Sequence, residues 1–434
     1  MADHRVLSEH PLNSEPPSRS LLDSYLTPVP LTYHRNHQEI PHNYSRSTIT
    51  VSSEVPSVQL SRSAFTLDEL HAATKESAIV CLACAGNRRM EMNKEKEVEG
   101  LQWGAGAIAN CEFSGPLLSD ILGQAGLTLE KVDSLGLADK LHIHFETTFK
   151  CQDDDYFGAS LPIKLALDPA RPVMLAYEQN GEPLTEDHGA PLRVVVPGVV
   201  GARSVKWLER IIVRNHESDN FYQKRDYKVL PPEATSENKE EYMKQTPPLM
   251  EYPLNSEICE PSEAAVVEFS DDKPSILVRG YAMGVHGIPI SSVHVTLLTL
   301  PLSPSALAAS DSAISDLHRL RLAASALPSS SWSSAKLITA SKGSAKHFDE
   351  GEKNWGWTLW TAEVEVEEKV RKLAELGVGG EGTEVALVAY ANDVEGNKQE
   401  LQTPYNLRGV AEASWSVVTV KLRKAVGAAA AASS

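Results

Sequence analysis

The sequence has no apolar stretch that approaches the length of a membrane span, so a membrane-inserted protein is not expected. It is short of positive charge: a formal net charge of −17 argues against nucleic acid as a partner, because binding a phosphate backbone needs a basic surface. Its first segment, MADHRVLSEHPLNSEPPSRS, carries acids and has no apolar h-region, which argues against a secretory signal and a mitochondrial presequence. The last residues, GAAAAASS, are not a Ser-Lys-Leu peroxisomal address. Cysteine is scarce too. Cys81, Cys84, Cys111, Cys151 and Cys259 are odd in number and lack framework spacing, so a reduced intracellular setting is expected, cytosol or peroxisome ahead of the mitochondrial intermembrane space.

What is present is a hydrophobic share of 42% over 434 residues, the composition of a soluble globular protein too long for one ordinary core. Two domains plus irregular segments are expected. Residues 1–24 are polar and proline-containing and read as a tail, and residues 230–262, rich in proline and glutamate, read as a linker. Beyond it, candidate strands at 265–269, 275–281, 293–300, 357–366 and 384–390 suggest a β-sandwich. A Ser/Ala/Leu-rich insertion at 301–334 reads as a surface excursion, within which Leu317, Leu320 and Leu322 suit a short helix. Residues 424–434 read as a second tail.

The chemistry gathers around residues 78–104. The apolar run 78–83 predicts a buried strand that delivers Cys84 into the turn Ala85-Gly86-Asn87, followed at once by Arg88 and Arg89. A thiol beside two guanidiniums is expected well toward thiolate, the form that binds a soft metal or attacks an electrophile. The alternative is a buried cysteine acting as a small hydrophobe. Cys81, three residues earlier, imitates a C-x-x-C redox pair, but no second such pair and no thioredoxin-like context accompanies it.

Four other stretches carry polar chemistry. In YLTPVPLTYHRNHQEIP, Pro28 and Pro30 forbid regular helix and leave an extended segment ending in Tyr33, His34, Arg35, Asn36 and His37. Around residues 172–215, Asn180-Gly181 marks a hairpin, His188-Gly189 and Arg193 bracket a buried strand, and Gly201 to Trp207 follows as GARSVKW; glycines there let backbone amides approach a phosphate, with Arg193 and Lys206 as countercharge. Arg225-Asp226-Tyr227-Lys228 and, near the end, Arg408 within YNLRGV complete the set. His142 and His144 alternate with apolar neighbours and read as ordinary strand histidines. Thr66 with Glu69 forms a capping box, and residues 47–53 form a β-branched strand.

C-A-G-N-R-R, with G-L-x-W at Gly100 to Trp103, resembles the molybdenum-binding segment of the sulfite oxidase family, and the aromatic-x-R-N-H element, the R-D-Y-K tetrapeptide and the Arg408 element resemble the family's counterparts. The resemblance implies an α+β protein: a mixed α/β molybdopterin-binding domain at 25–245 and an immunoglobulin-like β-sandwich dimerisation domain at 246–423. It implies molybdenum and molybdopterin as cofactors and Cys84 as the metal's single protein ligand. Tyr33, His34, Arg35, Asn36, His37, His188, Arg193, Ser204, Val205 and Lys206 would contact the pterin. Arg35, Arg89 and Arg408 would hold a sulfite anion, with Trp103 and Tyr227 closing its pocket. The activity implied is oxidation of sulfite to sulfate by oxygen-atom transfer in a homodimer, with oxygen or a soluble electron carrier as acceptor. No His-Pro-Gly-Gly haem motif is visible, so the haem-free, plant-type arrangement is expected. Two departures stand out: Glu99 replaces a lysine common before G-L-x-W, and an aspartate expected downstream of His142 falls on Phe149, with Glu146 or Asp153 as substitutes. A nitrate reductase-type enzyme and a non-catalytic molybdopterin-binding relative are the alternatives.

Overall fold

The computed structural model describes residues 4–270, 272–302, 315–339, 353–376 and 382–425. The chain opens on an ordered hairpin rather than the expected tail: strands Arg5–Glu9 and Leu12–Glu15 pair antiparallel, and a single-turn helix Ser18–Leu22 follows. The polar residues of the second strand, Asn13, Ser14 and Glu15, are buried because neighbouring loops need their acceptors. Glu15 receives the backbone amides of Gly104 (2.8 Å) and Gly106 (3.2 Å), and Asn13 receives that of Asn36 (2.9 Å). Polarity in this stretch therefore marks hydrogen-bond satisfaction inside the protein, not solvation.

The first domain is built on a five-stranded sheet in the order Ala64–Thr66, Thr48–Ser53, Arg210–Arg214, His142–Glu146, Gly158–Pro162. Thr48–Ser53 and Arg210–Arg214 are parallel and the other neighbours antiparallel. Thr66 caps helix Leu67–Ala72 in a reciprocal box with Glu69, as its spacing predicts. A second sheet pairs Glu76–Ala83 with Ile108–Gly115, which in turn pairs Glu178–Gln179; the hairpin from there to Glu182–Pro183 turns on Asn180 and Gly181, both at positive φ. Residues 78–83 are buried throughout: Cys81 and Ala83 face the main core, Ala78, Val80 and Leu82 a second cluster. Burial on both faces is why this strand reads as a continuous apolar run.

The second domain is a sandwich, as expected. One sheet orders Asn255–Glu260, Ser275–Met283, Thr358–Glu365 and Lys336–Ile338; the other orders Val266–Phe269, Ser416–Lys424, Thr383–Asp393, Ile290–Thr299 and Ser333–Ser334. Val278, Val293, Val295, Leu387 and Leu422 fill the space between them. Two expectations fail here. Residues 230–262 are not a linker, since helix Lys239–Gln245 and the first sandwich strand lie within them. The insertion is not a surface excursion: its helix Asp316–Ser325 packs Leu320 and Ala324 against Trp415 and Val388 on the outer face of the five-stranded sheet. Residues 303–314 of the insertion and 426–434 of the expected C-terminal tail lie outside the described residues.

The two domains share a core. Tyr252, Cys259, Tyr281 and Trp357, all beyond residue 246, pack into the first domain's cluster. Tyr252 donates its hydroxyl to Asn87 O (3.1 Å), and Tyr281 accepts from Asn87 Nδ2 (2.9 Å). The turn after Cys84 is thus held from the sandwich side. Among the described residues no helix is long and apolar enough to cross a membrane.

Candidate cofactor and anion site

Strand Glu76–Ala83 ends where Cys84 leaves the sheet. Asn87 N donates to the Cys84 carbonyl (2.9 Å) and Arg89 N to that of Gly86 (3.0 Å); Arg88 then sits at φ 65 and starts helix Arg89–Glu95. The two arginines are sent opposite ways. Arg88, fully buried, points into the domain interface, where it binds Glu91 through two bonds of 2.8 Å and Ser414 O at 2.9 Å. Arg89 turns back toward the thiol and donates to Arg408 O (3.0 Å), Gly409 O (3.1 Å) and Leu101 O (2.8 Å). A Cβ on Gly86 would stand 2.8 Å from the Arg89 guanidinium carbon, and one on Gly100, at φ 115, 2.7 Å from its Nη1. Both motif glycines are the space that Arg89 occupies.

The expected ready thiolate is corrected by this geometry. Burial pushes the Cys84 thiol up, and Arg35 and Arg89 pull it back only in part; Arg88 faces elsewhere. Gly86 N, 3.5 Å from Sγ, adds one donor. The protein alone leaves the sulfur protonated, so deprotonation falls to a coordinating cation.

Cys84 opens onto a cavity of about 840 Å³, part of it continuous with solvent. Arg35, Arg193 and Lys206 line it, with His37 and His188. Burial, with Arg193 beside it, holds the Lys206 ammonium well below its ordinary range; burial also lowers Arg193 to about 10, His188 to about 3 and His37 far down. Such groups disfavour their own charge until an anion joins them. Arg193 Nε and Gln38 Nε2 are buried donors with no hydrogen-bond partner among the described residues. Trp207, a bulky residue at φ 51, turns the backbone next to Lys206, and its indole donates to Glu186 O at 2.8 Å. Backbone strain of this kind is retained where a site requires it.

The partners fix one tautomer. Arg35 Nη2 lies 3.4 Å from His37 Nδ1 and can only donate, so in the neutral ring the proton sits on Nε2, 2.7 Å from the Tyr227 oxygen. Burial keeps the Tyr227 hydroxyl protonated. With His37 donating to its oxygen, the Tyr227 proton is free to serve a guest.

Of the residues singled out by sequence, Tyr33, Arg35, Asn36, His37, Cys84, His188, Arg193, Ser204, Lys206 and Tyr227 line the cavity. Five do not. His34 lies behind it, stacked on His188 at 5.1 Å and bound to Asp187 Oδ2 at 2.6 Å. Val205 points into the core and offers only its carbonyl, to Val194 N (3.0 Å). Trp103 is fully buried and packs with Cys84 and Ala107. Arg89 backs the thiol, and Arg408 is held by Asp226 and Glu99. Phe149 meets Tyr44 and Trp207 edge-on; Glu146 is committed to Arg210 (2.9 Å) and Arg214 (2.7 Å), so Thr147 is the cavity residue from this stretch. His144 binds His216 O (2.9 Å), an ordinary structural role, as expected. Sequence reasoning missed Asn13, which gives no signal in a polar stretch, and Asp187, whose signal was its place beside His188.

Residues 37–222 match the oxidoreductase molybdopterin binding domain, and residues 246–299 the Mo-co oxidoreductase dimerisation domain. The chain therefore carries the molybdopterin-binding and dimerisation domains of this class of oxidoreductase. The chain is 34% identical over 423 residues to the mitochondrial sulfite oxidase of Rattus norvegicus, covering 96% of this chain and 65% of the relative. It is 32% identical over 425 residues to the sulfite oxidase of Arabidopsis thaliana, covering 96% of this chain and 94% of the relative. It belongs to the sulfite oxidase family. The crystal structure of the sulfane dehydrogenase SoxCD from Paracoccus pantotrophus shares the fold, with a TM-score of 0.66 over 95% of this chain and 85% of that one, at 20% identity. The residues present fit the family's cofactor: a thiol for the metal, and for a phosphate-bearing pterin a cationic wall with two unpaired buried donors.

Proposed function

We propose that the protein oxidises sulfite to sulfate by oxygen-atom transfer at a molybdenum centre whose protein ligand is the Cys84 thiolate. The observation that supports this most is a buried cysteine flanked by Arg35 and Arg89 on a cavity whose cations lack counter-anions. When bound, the cofactor supplies the reactive oxygen and accepts the electron pair. The rest falls to side chains of this chain. Arg193, Lys206, His188 and Ser204 hold the phosphate-bearing pterin, with Tyr33 and Asn36 beside them, His34 acting through His188 and Val205 through its backbone. Arg35, Arg89 and Arg408 bind the oxyanion, since guanidiniums match its geometry and stay charged. Tyr227 donates to it, oriented by His37, and Trp103 fixes Cys84 from behind. Loss of one anion-binding arginine should cost about ten- to a hundredfold in sulfite use, the worth of a charge-assisted hydrogen bond. Electrons leave to oxygen or a soluble carrier, and two copies associate through the sandwich. The five unpaired buried cysteines suit a reducing compartment, cytosol or peroxisome.

Sulfite added without oxygen to the oxidised, molybdenum-loaded protein should bleach its thiolate-to-metal absorption. A band indifferent to sulfite, but restored by nitrate after chemical reduction, would move the assignment to nitrate reduction; a full molybdenum complement inert to both would make the chain a carrier. Cys84→Ser should lose the band and the turnover while keeping its thermal midpoint within a few degrees.

A further inference from the structure

Arg408 stands apart from the other two arginines of the anion site. Its Nη2 donates to Asp226 Oδ1, its Nη1 lies 3.4 Å from Glu99 Oε2, and its Nε is buried without a partner. Like Arg89, and unlike Arg35, it is not among the residues that line the cavity. Glu99 is itself shared. Lys239 Nζ reaches both of its oxygens at 2.8 Å, and Ser236 Oγ donates at 3.0 Å. The backbone ties acid to arginine as well, for Glu99 N donates to Leu407 O at 2.8 Å. Asp226 also faces a cavity residue, His37, whose Nε2 lies 3.7 Å from its carboxylate.

Two carboxylates compensate the Arg408 charge, so the guanidinium attracts an incoming anion strongly only once one of them lets go. Asp226 is the more enclosed of the two, 10% exposed against 28% for Glu99, and Glu99 alone has another cation to fall back on. We propose that Glu99 sets the anion affinity of the site: it latches Arg408 off the cavity, and Lys239 sets the strength of the latch by competing for the same carboxylate. An entering oxyanion replaces Glu99 on Arg408 while Glu99 stays with Lys239. Product release is the reverse, Glu99 retaking the arginine as sulfate leaves. The proposal rests on the reading of Arg408 as an anion-binding group.

The test combines sulfite kinetics of the holoenzyme with calorimetric sulfate binding, which needs no turnover. Glu99→Gln should lower KM for sulfite and Kd for sulfate by about threefold to fivefold, the scale of a partly exposed ion pair. Lys239→Met should raise both, because Arg408 is then the one cation paired with Glu99 among the described residues. Removing a carboxylate that acted only through its field would favour anions whatever stands at position 408. The latch requires that the Glu99→Gln gain vanish in an Arg408→Gln background, a non-additivity the double-mutant cycle reads directly. A gain that persists there overturns the latch, as does an unchanged KM and Kd in both single variants; sulfite turnover by the wild type would leave the proposed function standing in either case. Wild-type protein that neither oxidises sulfite nor binds sulfate would remove that reading and the latch with it.

Discussion

Arg35 carries its charge at a point fixed by two acceptors, Asn13 Oδ1 at 3.1 Å and the Asn36 carbonyl at 2.7 Å. Asn13 is anchored in turn, donating Nδ2 to Pro11 O (2.9 Å) and Asn36 O (3.1 Å). Asn13→Ala removes the acceptor for both Arg35 and the Asn36 amide and leaves buried donors unpaired, at a cost of about 1–3 kcal/mol. Because Arg35 loses its fixed position but not its charge, KM for sulfite should rise about tenfold while molybdenum content stays whole; elemental analysis beside steady-state kinetics checks it. An unchanged KM would mean that Asn36 O alone positions the guanidinium. Arg35 itself was legible in the sequence because its neighbours form a recognisable run of aromatic, arginine, asparagine and histidine. Asn13 was not. What makes it functional is a partner more than twenty positions away, and nothing in a polar tail-like stretch encodes that distance.

At the scale of elements, the buried strand Glu76–Ala83 and the helix capped by Thr66 followed from period and cap chemistry, whereas the insertion helix Asp316–Ser325 was misjudged in its setting. Its serines and alanines lower the local hydrophobicity, and its attachment is polar. Arg321, fully buried, donates to Trp415 O (2.8 Å), Glu95 Oε1 (2.8 Å) and Gln402 Oε1 (2.5 Å), with Glu91 Oε2 at 3.4 Å. One side chain thus joins the insertion to the helix that carries Arg89 and to the loop that leads to Arg408. Arg321→Met keeps the apolar stem but takes the one arginine from Glu95 and one of two from Glu91, and breaking a buried pair from one side costs about 3–5 kcal/mol. Equilibrium unfolding in urea should show that loss. Arg321→Lys should recover part of it, since it restores charge without the fork. Equal stabilities of wild type and Arg321→Met would return the insertion to a surface role.

The whole molecule is negative, yet its cations converge on the cavity and its acids crowd the seam between domains. Arg88 is the main cation of that seam. Its Nε lies 2.9 Å from Glu257 Oε2 but donates to Glu91 Oε1 instead, so Glu257 Oε2 has no hydrogen bond. Burial, only partly offset by Arg88, raises Glu257 to about 8 and lifts Glu412 as well. The sign follows from proton binding: an acid whose folded value lies above its ordinary value near 4.5 keeps its proton longer in the folded state. Its contribution to stability is complete below about 4.5 and is lost as pH rises through about 8. Glu257→Gln, which mimics the protonated acid, should match wild type at pH 5 and become the more stable protein toward pH 9. The difference between the two melting curves reads this group together with Glu91, whose charge it feels. The same seam holds the turn after Cys84, through Tyr252 and Tyr281 on Asn87, so the wild type should also release molybdenum faster than Glu257→Gln at pH 9. Identical pH profiles for the two proteins would show that Arg88 keeps Glu257 ionised after all, and that the domain seam carries its charges fully paired.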